Sequence, residues 1–140
     1  MIVRHAKMAL SLLWMLAAAP ILLILILRQL QGFYDTPNTD PQEVWNWVSQ
    51  FVLPGVTLVV GAWTVSASPS DQRPIDNPWV FWAAIGMSAF YFIVLYLVVG
   101  LQGTTQQPWP ETFKQSALFL GIIQGAVIAV LGKFFIESAR

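Results

Sequence analysis

The sequence predicts an all-α integral membrane protein, a four-helix bundle running up-down-up-down with both termini in the cytoplasm. Three observations carry this. Four apolar runs are each long enough to cross a bilayer, the links between them are short, and basic residues are unevenly divided between the two sides. More than half of the 140 residues are apolar and only a tenth are charged, far below the roughly one quarter usual in soluble domains.

The runs are Met8–Leu27, Val44–Ala67, Trp79–Leu101 and Ala117–Leu131, the last continuing through Lys133 to Ile136. They set spans at about 8–28, 44–67, 79–101 and 112–136 within one transmembrane domain covering 1–140. A hydrocarbon core of roughly 30 Å needs about 20 helical residues. No Asp, Glu, Lys or Arg lies centrally in any run. Lipid offers backbone groups no water, so each run is expected to be helical.

The first helix opens with the basic stretch Met1–Lys7 and ends near Gly32, a natural stop. Ala17-Ala18-Ala19 has the look of a leader cleavage site, but Pro20 and then Ile21–Leu27 prolong the apolar run beyond it. The reading is an uncleaved anchor. The second helix is announced by Asp40-Pro41-Gln42-Glu43, with Asp40 as N-cap, Pro41 at the first helical position and Glu43 at the third. Pro69 marks its end, and Pro54-Gly55 should kink it, as Pro20 should kink the first. Asn77-Pro78 begins the third helix, and Pro110-Glu111 the fourth. Short links at about Gln31–Asp40, Ser66–Asn77 and Gln102–Trp109 make consecutive spans antiparallel neighbours.

Orientation follows the excess of Lys and Arg in cytoplasmic loops. With the N-terminus inside, Arg4, Lys7, Arg73, Lys133 and Arg140 are cytoplasmic, and Arg28 and Lys114 lie outside. Trp45, Trp47 and Trp109 then mark the outer interface, and Trp14, Trp63, Trp79 and Trp82 the inner one. The expected location is the bacterial inner (plasma) membrane.

Chemistry-bearing residues are scarce. No Cys is present and the one His, His5, sits among Arg4 and Lys7, where a basic anchor on anionic headgroups is the reading. No cofactor or metal is implied, and no nucleic acid, since the net charge is zero. An enzyme is not expected, because the spans hold no acid, base or nucleophile set. Coupled transport lacks the intramembrane carboxylate or Lys on which it usually relies.

The polar inventory of the spans is Gln50, Thr57, Ser88, Tyr96 and Gln124. Gln124 is read as an interhelical hydrogen bond, and secondarily as a pore-lining or ligand-binding group. The strongest pattern is Ala117, Gly121, Gly125 and Ala129 every four residues, with Gly132 beside it. Small residues at this spacing let helices approach closely, first against a neighbour within the chain and second against another protomer. Ala84 and Ser88 are a shorter version, expected to face another helix of the bundle. Arg28 is read as a snorkelling residue at a helix C-terminus, with Asp35 or Glu43 as candidate partners; Lys133 and Glu137 are spaced to pair. The loop with Asp71, Arg73 and Asp76 is the candidate docking element for a cytoplasmic partner.

Two functions are compatible with this. One is a non-catalytic membrane subunit that anchors or assembles a multi-subunit complex with a partner chain. The other is a homo-oligomeric pore or membrane-disrupting component of a bacterial defence or toxin–immunity system. The partners expected are the lipid bilayer and either further copies of the chain or a second subunit.

Overall fold

A computed structural model describes residues 2–37, 39–65, 74–75, 77–102, 104 and 108–139, with backbone only at 63–65 and 138–139. The Asp71, Arg73 and Asp76 docking element lies outside these residues. Five helices follow in order: α1 (Val3–Leu30), α2 (Gln42–Phe51), α3 (Leu53–Val65), α4 (Pro78–Leu101) and α5 (Trp109–Ala139). Among the described residues the only extended pairing is an isolated bridge between Ile2 and Pro74.

Helices α1, α4 and α5 are each long and apolar enough to cross a membrane. The second predicted span is divided. Its halves, α2 and α3, meet at a 42° bend around Val52 and make a fourth crossing if taken together. Pro54 supplies the cause: it has no N–H for the carbonyl four residues earlier and its ring crowds that turn. Pro20 leaves α1 continuous over all 28 residues.

The helix ends follow their sequence signals closely. Asn77 caps α4 by accepting the Trp79 backbone N–H at 3.2 Å. Asp40 accepts the Gln42 N–H at 2.9 Å, with α2 proper starting one residue later than expected. At the end of α1, Gly32 has φ +71°. Its N–H bonds Gln29 O, and the Phe33 N–H bonds Arg28 O, both at 3.0 Å. This is a Schellman turn, which only glycine enters at no steric cost.

Packing departs from the sequential order the short links suggest. The principal contacts run α1 with α3 and α4, α4 with α5, and α5 with α2. The consecutive pair α3 and α4 is not among them. Instead α1 and α4 lie side by side and parallel, bonded from Trp14 to Ser88 and from Arg28 to Val99. Tyr34 and Thr36 meet Gln102 and Trp109 at one end, while Ile2 and Pro74 pair at the other.

The core face of α1 is Val3, Ala6, Lys7, Leu10, Trp14, Ala18, Ile21 and Leu25, a spacing of three and four that keeps one stripe toward its neighbours. That stripe corrects two expectations. Lys7 is buried beside Ala6 and Leu10, whereas Arg4 and His5 stay exposed. Trp14 is a core residue and not an interfacial anchor. Trp47 and Trp109 are buried as well, while Trp79 and Trp82 remain 80% and 62% exposed.

Candidate functional site

Two polar centres stand out, one at the break in α2–α3 and one where α1 and α4 end. At the break, Pro54 leaves Gln50 O without its helical donor. Gln124 on α5 donates Nε2 to that carbonyl at 2.8 Å. Tyr91 on α4 donates its hydroxyl to the next carbonyl, Phe51 O, at 2.6 Å. Gln124 is therefore an interhelical bond, the first of its two readings, and it is spent on main chain. Pro20 is treated likewise. Its missing N–H orphans Leu16 O, and the Tyr96 hydroxyl bonds the adjacent Ala17 O at 2.8 Å.

The same break seats an aromatic ring. A Cβ on Gly55 would collide with the six-membered ring of Trp14. Trp14 in turn donates Nε1 to Ser88 Oγ at 3.0 Å and packs edge-on to Phe92. Ala84 and Ser88 are fully buried on α4, so the short small-residue pair faces a helix of its own chain, α1. Trp47 repeats the arrangement on the other side, donating to Ser116 Oγ at 3.0 Å.

At the end of α1 and α4, Arg28 takes neither acidic partner that its sequence neighbourhood offered. Nη1 donates to Val99 O at 2.7 Å and to Gln102 Oε1 at 2.9 Å. The guanidinium stands 5.2 Å from the Phe33 ring centroid. Tyr34 donates its hydroxyl to the same Gln102 Oε1 at 3.0 Å and meets Trp109 edge-to-face at 5.1 Å. Trp109 Nε1 bonds Thr36 Oγ1 at 3.2 Å. Burial pushes the Tyr34 pKa up, and the adjacent Arg28 charge draws it part of the way back. Sequence reasoning missed this centre, because nothing in spacing links position 28 to position 102.

The α5 stripe is turned outward. Gly121, Gly125 and Ala129 are exposed, Ala117 and Gly132 partly so. A Cβ on Gly121, Gly125 or Gly132 would meet nothing within 4 Å. A packing partner within the chain is therefore excluded at these three glycines among the described residues. Leu118 and Ile122, each 78% exposed, flank the stripe. Further along, Ile128, Ala129, Gly132, Lys133, Ile136 and Glu137 line an open trough of about 460 Å³. Lys133 and Glu137 lie 3.8 Å apart there, as their spacing predicted.

Among the described residues, no three His, Asp or Glu side chains gather closely enough to hold a metal ion. Against protein-family models, curated proteins and solved structures, the chain has no match.

Proposed function

We propose that the chain is a non-catalytic four-span subunit that anchors or assembles a larger complex in the bacterial inner membrane. Its termini face the cytoplasm, and it acts with further copies or a second chain. The observation that carries this reading is the outer face of α5. A Cβ on Gly121 or Gly125 would meet nothing of its own bundle, and with the exposed Ala129 they form an outward strip beside Leu118 and Ile122. Glycine costs about 1 kcal/mol against alanine in a helix interior, and close approach of another helix offsets that cost. The deep polar groups support the same reading. Gln124, Tyr91, Tyr96 and Trp14 bond carbonyls or a hydroxyl of neighbouring helices, so they do not line a wet path through one bundle.

The mass of the complex purified in mild detergent tests the proposal. A co-purifying second chain, or a homo-oligomer that does not conduct in planar bilayers, is expected. A homo-oligomer that conducts ions would replace the subunit reading by the pore. Single-cysteine labelling tests the orientation, since the chain has no native thiol. External reagent should reach a cysteine at Thr36 and not one at Ser138. Alanine at Asp71, Arg73 and Asp76 should weaken capture of a cytoplasmic partner while insertion is unaffected.

A further inference from the structure

We infer that the groove between α2 and α5 is a two-fold interface, at which a second copy of this chain pairs its Lys114 with Glu43. The inference rests on the chain being an assembling membrane subunit, and it names the partner as another copy.

The polar face of α2 comes first. Glu43, Asn46 and Gln50 recur at three and four residues, so they share one side of the helix. Together with Lys114 and Ala117 of α5 they line an open groove of about 180 Å³. Asn46 and Gln50 are exposed and Glu43 is half-buried. Among the described residues, none of these three side chains has a hydrogen bond or ion pair; Gln124 bonds the main-chain carbonyl of Gln50 and not its amide. Lys114 stands 3.9 Å from Glu111, both well exposed, and an ammonium has three donors to share. Beneath these groups the rings of Trp47 and Phe113 lie 4.8 Å apart, and Trp47 is tied to Ser116. The floor is therefore fixed.

Depth shows that lipid is a poor cover. Glu43 lies in the first turn of α2, at headgroup level. Gln50 is about 10 Å further along the helix, at 1.5 Å per residue, and so faces hydrocarbon. An amide finds neither donor nor acceptor there. Asn and Gln side chains so placed associate by bonding across to another helix.

Charge and symmetry then select the polypeptide. The groove holds one acid and one base, so a partner of a single sign would satisfy one and repel the other. Copies inserted in the same direction pair about a two-fold axis along the membrane normal, which makes the contact self-complementary. An axis through the groove sets each α2 opposite the α5 of the other copy. Glu43 then meets Lys114 of the second copy, twice over and at matching depth, because both line one groove. Primary amides donate and accept, so Asn46 and Gln50 can bond their own images. At Ala117 the groove runs into the outward strip of α5, which lengthens the contact.

The test uses two differently tagged forms of the full chain, co-expressed and purified in mild detergent. One wild-type tag should capture the other in a complex with the mass of two chains. Glu43→Lys alone and Lys114→Glu alone should each lower capture at least tenfold, because each sets like charges opposite one another at both contacts. Co-expressing the two variants should restore capture, since every contact across the axis again joins opposite charges. A pair within one chain, or a lipid cover, gives no rescue on mixing. A second readout leaves the charges alone: oxidation should link copies carrying Asn46→Cys and not copies carrying Leu16→Cys, a position 71% exposed on α1. Undiminished capture by the single variants, failure of mixing to rescue, or equal linkage at both positions overturns the interface. Capture of an unlike chain by a single copy overturns it too, while the subunit reading stands. A monomer that binds neither removes the subunit reading itself.

Discussion

The Trp14 ring lies so close against Gly55 that no side chain fits between them. The kink in one span and the largest core side chain of another are thereby a single packing unit. Gly55→Ala should overpack this contact and destabilise the bundle by about 1–3 kcal/mol. Thermal melting in detergent measures it. Trp14→Leu should make Gly55→Ala nearly harmless, since the colliding ring is gone. Equal penalties for Gly55→Ala with and without Trp14 would break the proposed coupling.

The two carbonyl caps at the break should differ in weight. Gln124→Leu removes the donor to Gln50 O, and by the average for interhelical bonds in membranes it should cost about 0.6 kcal/mol and under ~2. Tyr91→Phe strips Phe51 O at a fully buried position, where an unsatisfied group costs about 1–3 kcal/mol. Side-by-side melting curves should therefore rank Tyr91→Phe as the more damaging. The reverse order would mean that the α5 contact, not α4, holds the bend.

Outward glycines make a sharp prediction about Gly121→Leu and Gly125→Leu. A Cβ at either position meets nothing within 4 Å in its own bundle and both positions are exposed, so the isolated monomer should melt as wild type does. Any assembly through this face should fall apart, read as a lower mass in the same detergent. Unfolding of the monomer would contradict the outward placement.

Tyr34 predicts an alkaline limit. Its phenol is held protonated above its ordinary pKa, chiefly by burial. The folded state therefore keeps this proton at pH values where the unfolded chain has lost it. The stabilisation is complete below about pH 10, the unfolded value, and fades as pH climbs from there through the folded pKa. Melting temperatures between pH 8 and 11 should fall more steeply for wild type than for Tyr34→Phe. Parallel curves would remove Tyr34 as the cause.

The legible parts of this structure were those with a local chemical signature. Asn77, Asp40 and Gly32 mark helix ends because caps and left-handed turns demand particular residues within a few positions. Pro54 announced the bend for the same reason. Which face of a helix is buried was harder to read. In a helix apolar on all sides, periodicity carries little contrast, so Trp14 read as an interface residue and the α5 stripe as facing first a neighbour within the chain and only second another protomer. The Arg28–Gln102 clamp joins residues 74 positions apart. It depends on α1 and α4 lying parallel, a packing choice that link lengths alone did not fix.

That the side chains capping the early spans' carbonyls, Tyr91 and Tyr96 on α4 and Gln124 on α5, come late in the chain bears on how it is made. During synthesis the two proline-bearing spans leave the ribosome before α4 exists. In that interval Gln50 O and Phe51 O lack the donors that Gln124 and Tyr91 supply in the finished bundle, and lipid offers none. The early hairpin should thus be a provisional intermediate, vulnerable to membrane proteases until α4 and α5 arrive. A chain stopped after Asn77 should turn over quickly, whereas the full chain, with both Tyr91 and Gln124 in place, should persist. Pulse-chase measurement of the two lengths decides the point: equal lifetimes would mean that the first two spans find their own means of satisfying those carbonyls.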